Sequence, residues 1–132
     1  MIDSEKFDWI KARQECSLTT MFERLRQQVS ADVDQRKKLL RSDSHYSFEF
    51  VSEKTNIFSV AAVGNQIHCR VQFSLEGNGI QIRSDGFQGT PVFLATLTLN
   101  DEGDCRFVVD EIEREFWHIR KMALETLFFQ AY

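Results

Sequence analysis

The sequence predicts a single α+β domain in two layers. An antiparallel meander sheet of about six strands over 46–109 is expected to pack against N-terminal helices over 4–15 and 18–41 and a C-terminal helix over 110–131. Apolar residues recur with a helical period in the two flanking regions and alternate in the middle region. The chain has 132 residues, 42% of them hydrophobic, which fits one core.

The N-terminal region divides into two helical segments. The second has the clearer apolar stripe, whose members are Leu18, Phe22, Leu25, Val29, Val33 and Leu40. Ser17 directly precedes this stripe and is a favourable N-cap residue. We therefore expect a break between the two helices near Ser17 and one buried face on the second helix.

The turns between the strands predict which residues pair, and residues paired across a hairpin share one face of the sheet. A turn at Gly77–Asn78 pairs Phe73 with Ile82. A three-residue acidic loop pairs Leu97 with Phe107. Both turns place apolar side chains on the same face, which predicts a continuous apolar surface.

Two further turns give the same result. A turn at Gly64–Asn65 pairs Val60 with Cys69, and a five-residue loop pairs Phe50 with Phe58. Agreement between local turns and the overall apolar pattern favours the meander. Its apolar face then requires a cover.

The C-terminal segment over 110–131 is the predicted cover. Asp110 is suited to cap a helix, and Glu113 follows at the spacing of a capping box. The stripe expected to face the sheet consists of Ile112, Phe116, Ile119, Ala123 and Leu127.

More apolar residues lie on this last helix than one contact surface needs. Trp117, Leu124 and Phe128 form a second row, and Phe129 lies on the other flank. We expect these four residues to form an interface, either with the N-terminal helix or with a second copy of the chain.

The sequence shows no catalytic, cofactor or metal-binding motif. His45, His68 and His118 have no partner at the spacing of a helical zinc site, and no nucleophile elbow is present. We therefore predict no catalytic residue, no metal and no cofactor, and an enzymatic activity is disfavoured.

The cysteines and the N-terminal region suggest a compartment. Three cysteines, Cys16, Cys69 and Cys105, are an odd number in a chain of this size and favour reduced thiols over a disulfide framework. Residues 1–14 carry early acids and a Trp-Ile pair, so no secretory signal is expected. Together these observations predict a cytoplasmic protein.

The far face of the sheet is a second candidate binding surface. The strand pattern groups there His68, Arg70, Gln72, Gln81 and Arg83. Such a face could bind an anion, a peptide or a nucleic acid, although an ordinary solvated face is the simpler interpretation. Phe87, between the glycines of the longest loop, is a candidate interface anchor or lid that could equally well pack into the core.

Charge and hydropathy limit the partners. Sixteen basic against twenty acidic residues give a net charge of -4, which disfavours nucleic acid. No apolar run is long enough for a membrane span. The remaining partners are a second copy of the chain, another protein or a small apolar ligand.

Three functions of different classes are compatible with these features. The first is a non-catalytic interaction or binding module, expected to be a homodimer. The second is a carrier of a small apolar ligand between the sheet and the C-terminal helix, and the third is an enzyme that uses His68, Arg70 and Arg83. In size and charge the chain also resembles the bacterial secretion chaperones. Those proteins usually place a helix within their strands, whereas here only 84–90 interrupts the meander.

Overall fold

The structure is a computed structural model that describes residues 6–64, 67–86 and 92–129. Its helices are α1 (Trp9–Glu15), α2 (Leu18–Lys38) and α3 (Phe116–Phe129). Its strands are β1 (Tyr46–Lys54), β2 (Ile57–Gly64), β3 (Ile67–Glu76), β4 (Gly79–Asp85), β5 (Phe93–Leu99), β6 (Cys105–Val109) and β7 (Ile112–Arg114). The strands form one antiparallel sheet in sequence order. The predicted α+β meander is therefore confirmed, with seven strands in the described residues where about six were expected.

The core lies between one face of the sheet and the helices α2 and α3. On the sheet side it is built from phenylalanines, of which Phe58 and Phe73 stack with ring centroids 4.6 Å apart. Phe48 meets Phe128 of α3 edge to face at 5.0 Å. Phe22 of α2 lies 5.1 Å from Phe58. Full burial of a phenylalanine side chain contributes about 1.5–3 kcal/mol of transfer free energy, and four of these five rings are at most 1% exposed. These contacts therefore fix both helices on the sheet.

Two of the four predicted hairpins have the expected register. Phe73 pairs with Ile82, and Leu97 pairs with Phe107. In the first, Gly77 adopts a positive φ of 55°. A glycine at the first central position suits a type II′ turn, which fixes the register of a hairpin.

The other two hairpins are shifted by two residues from the prediction. Val60 pairs with Val71 and not with Cys69, and Phe50 pairs with Val60 and not with Phe58. A shift of two residues keeps every side chain on its face, so the apolar surface survives the error. Gly64 ends β2, where an added Cβ would lie 2.5 Å from the carbonyl oxygen of His45. Close backbone approach, and not turn geometry, therefore explains this glycine.

The start of the last helix was predicted wrongly. Asp110 and Glu111 have positive φ angles of 51° and 67°, and Val109 pairs with Ile112. Two successive residues of this kind form a type I′ hairpin turn, so the chain continues into β7 before α3 begins. Ile112, expected on the helical stripe, lies on β7 and is half-exposed.

The expectation of three reduced thiols was also wrong. A disulfide joins Cys16, in the link between α1 and α2, to Cys105 at the start of β6. The two residues are 89 positions apart, and the fold brings their Cα atoms to 5.5 Å. Cys69 remains a buried thiol, as expected, and donates to the carbonyl oxygen of Gly86 at 3.6 Å.

Candidate functional site

Four residues of α3 form an exposed row along one side of the helix. They are Trp117, Lys121, Glu125 and Phe129, each four positions from the next, a spacing that aligns side chains on a helix. Trp117 is 53% exposed and Phe129 is 65% exposed. The row therefore presents an aromatic residue at each end and one charge of each sign between them.

Local contacts hold the exposed row in place. The indole Nε1 of Trp117 donates to Oε2 of Glu115 at 2.8 Å, and its ring stacks on His118 with centroids 5.0 Å apart. Nζ of Lys121 lies 3.2 Å from Oε2 of Glu125. These contacts restrict the side-chain rotamers and so lower the entropy cost of binding a partner.

The exposed row borders a groove between α2 and α3 with a cavity volume of about 300 Å³. Its floor consists of Leu124 and Phe128, both buried on the sheet side. Leu39, which caps the end of α2, is 67% exposed at the opposite wall. We call this feature the helical groove; its surface is mainly apolar.

Two side-chain hydrogen bonds connect α2 and α3, which form the walls of the helical groove. Nε of Arg120 donates to Oδ2 of Asp32 at 2.8 Å, with both side chains about one-fifth exposed. Nε of Arg36 donates to the carbonyl oxygen of Phe128 at 3.0 Å, and its guanidinium lies 4.7 Å from the ring centroid of Phe129. Because these partly buried groups bind one another, the two helices form a pre-organised surface.

All four predicted interface residues line the helical groove, but they do so in two ways. Trp117 and Phe129 are exposed at its rim, whereas Leu124 and Phe128 are buried as its floor. The apolar pattern of the sequence did not identify Lys121 and Glu125 as members of the row. Their spacing from the two aromatic residues was the signal that could have identified them.

The far face of the sheet brings together the predicted polar residues of β3 and β4. Gln72 pairs with Arg83 across β3 and β4, as expected. Nη2 of Arg83 lies 3.6 Å from Oε2 of Glu76, and Arg70 lies opposite Asp85 in the backbone register of β3 and β4. An ion pair therefore offsets the charge of Arg83.

The other members of that predicted set contribute less. Nε2 of Gln81 donates to the carbonyl oxygen of Phe93 at 3.3 Å, so this amide is used within the sheet. His68 pairs with Val63 through the backbone of β3, and its side chain lies outside the described part of the structure. Phe87 also lies outside the described residues.

Helix α1 carries a second pair of exposed apolar residues, Trp9 and Ile10, which are 62% and 63% exposed. None of its seven residues is buried. A cavity of about 690 Å³ lies beside it, and Trp9, Arg13 and Leu97 contribute to the lining. This region lacks the alternation of aromatic and charged residues that marks the exposed row on α3.

The described residues supply few other chemical features. Among them, no group of three His, Cys, Asp or Glu side chains is arranged to hold a metal ion. No helix in residues 6–64, 67–86 or 92–129 is long and apolar enough to cross a membrane. No family model, curated protein or solved structure matches this chain.

Proposed function

We propose that the chain is a non-catalytic protein-interaction module that forms a homodimer through α3. The observation that carries this proposal is the exposed row with its two large aromatic side chains. The row lies beside an apolar groove whose two helices are connected by hydrogen bonds. Aromatic residues that pack against buried apolar side chains are typical hot spots of protein interfaces. We propose a second copy as the partner because the row carries one basic and one acidic residue, Lys121 and Glu125. These residues can form ion pairs with the same two residues of a second copy.

The exposed area suits the centre of an interface and not the whole of it. A large aromatic side chain buries about 150–250 Å², so Trp117 and Phe129 together offer roughly 250 Å² at their observed exposure. A standard interface buries about 800 Å² on each partner. The surrounding polar residues of α2 and α3 would supply the remaining area as a hydrated rim.

An apolar-ligand carrier is the second candidate, and the helical groove supports it. Its volume of about 300 Å³ lies at the lower end of small-molecule sites. The space between sheet and α3 holds packed rings, such as Phe107 and Phe116 with centroids 6.0 Å apart. A ligand would therefore bind in the groove and not beneath the helix.

A secretion-chaperone-like role and an enzyme based on His68, Arg70 and Arg83 stay further alternatives. Arg83 already forms an ion pair with Glu76, which leaves it less available to a substrate. The cytoplasmic location also stays a prediction. The cysteines do not support this location, because Cys16 and Cys105 form a disulfide and such bonds are rare in the cytosol.

Sedimentation equilibrium of the full chain at micromolar concentrations tests the dimer. We expect a mass of twice 15.4 kDa. Replacing both exposed aromatics of the row, Trp117→Ala with Phe129→Ala, should weaken association by more than about tenfold, since interface aromatics of this kind are typical hot spots.

The matched control is Trp9→Ala with Ile10→Ala, which removes two similarly exposed apolar side chains from α1. This variant should dimerise like the parent. A parent chain that remains monomeric throughout the concentration range contradicts the homodimer. A parent dimer disrupted only by the α1 variant contradicts the choice of surface.

A further inference from the structure

We infer that two copies of α3 pair antiparallel about a two-fold axis beside position 123, so that Lys121 of each copy meets Glu125 of the other. This inference rests on the proposed homodimer and specifies its register. The observation behind it is the symmetry of the exposed row, which reads aromatic, basic, acidic, aromatic at equal intervals.

The register of the two helices follows from the symmetric spacing of the four residues around position 123. Trp117 and Phe129 lie six positions on either side of 123, and Lys121 and Glu125 lie two positions on either side. When two copies of α3 are related by a two-fold axis perpendicular to the helix, each residue of a pair in one copy lies opposite the other residue of that pair in the second copy. Trp117 then lies beside Phe129 of the second copy, and the charges pair at the centre.

The helix geometry permits this contact. Side chains four positions apart form ridges inclined to the helix axis, and two such ridges align when helices cross at about −50°, the commonest packing class. The row from Trp117 to Phe129 is about 18 Å long at 1.5 Å per residue. Over the same twelve positions the row turns by about 120° around the helix axis, so Lys121 and Glu125 face the second copy most directly and the large aromatic side chains reach it from the flanks.

The charges favour a second copy over an unrelated partner. Lys121 and Glu125 are each about half exposed, and their ion pair within one helix leaves each with solvent-facing hydrogen-bonding capacity. In the two-fold arrangement they form a network of four alternating charges. A parallel pairing in the same register would place like charges together, so the charges select the antiparallel arrangement.

The aromatic ends contribute at both sides of this centre. The guanidinium of Arg36 lies over the ring of Phe129, and exposed Leu39 lines the same helical groove. Trp117 of the second copy would reach this end and bury its ring against them. The same contact would occur twice, as required for an isologous interface.

Charge exchange tests the register. Lys121→Glu alone and Glu125→Lys alone should each weaken self-association by at least about tenfold, because each creates two like-charge contacts across the interface. An equimolar mixture of the two single variants should form heterodimers, since all interchain contacts in the mixed pair are attractive. The double variant Lys121→Glu with Glu125→Lys should regain the parent affinity.

Arg41→Glu and Asp43→Lys are the matched controls, because they apply the same charge changes to an exposed pair outside the row. Sedimentation with a fluorescent label on one variant measures homodimers and heterodimers separately. Single variants that dimerise like the parent, with no preference for the mixture, overturn the register while the homodimer stands. A monomeric parent overturns the proposed function itself, and circular dichroism of each variant verifies folding.

Discussion

Helices α1 and α3 both expose a tryptophan, yet they are attached to the fold by different means. Helix α3 is held by burial, with Ile119 and Leu127 fully enclosed against the sheet. Helix α1 buries none of its seven residues and is followed at once by Cys16, which the disulfide fastens to β6. The exposed residues of α3 therefore lie on a helix that is packed against the sheet. The position of the exposed residues of α1 depends on the disulfide that follows the helix.

Exposure of a large aromatic side chain alone therefore does not identify a candidate binding surface. Trp9 is somewhat more exposed than Trp117. What distinguishes Trp117 is the support around it: a hydrogen bond to Glu115, a packed floor and charges at regular spacing. A surface already ordered in this way pays less entropy when it binds.

Removing the buried anchor of α3 should have the largest effect. Phe128→Ala should lower the free energy of unfolding by about 3–5 kcal/mol, since it deletes a nearly buried ring that packs on Phe48. Its neighbour provides the control: Phe129→Ala should cost only about 0.5–1 kcal/mol, the value of its exposed contact with Arg36. Urea unfolding at concentrations where both variants are monomeric measures the difference. Equal losses would contradict the view that burial holds α3.

Breaking the covalent anchor of α1 should have the next largest effect. Replacing Cys16→Ser with Cys105→Ser should lower stability by about 2–4 kcal/mol, because the bond closes a long loop in the unfolded chain. Backbone amides over 9–15 should also lose protection from hydrogen exchange, whereas those of α3 should retain it.

The control for this experiment is the effect of reductant. Adding it should destabilise the parent to the level of the double variant and should leave the double variant unchanged. A parent that unfolds identically with and without reductant would contradict a stabilising role for the disulfide.

Much of the fold could be predicted because side-chain alternation and period were consistent along the chain. The apolar face tolerated the two-residue shift at Val60, since such a shift preserves faces. The disulfide could not be predicted, because the pairing of Cys16 with Cys105 depends on tertiary contacts. For the site, the wide apolar arc of α3 indicated an interface, but the helical groove depends on where α2 lies.

The two helices also begin differently, and a small substitution tests this. Asp8 caps α1 by accepting from the backbone N–H of Lys11 at 3.0 Å, whereas α3 follows a hairpin turn in which Glu111 has a φ of 67°. Glu111→Gly should stabilise the fold by about 0.5–1 kcal/mol, since glycine adopts this conformation without the strain of a side chain.

The sign of that effect separates the hairpin from the helical start that the capping pattern suggested. If α3 began at Asp110, the same substitution would place glycine in the first turn and lower stability. Glu113→Gly is the matched control, because it lies in β7, where glycine should cost about 0.5–1 kcal/mol. Urea unfolding should therefore shift in opposite directions for two identical replacements two positions apart. Destabilisation by both Glu111→Gly and Glu113→Gly would favour a helix that begins at Asp110. In that case α3 would begin at a capping residue, as α1 does.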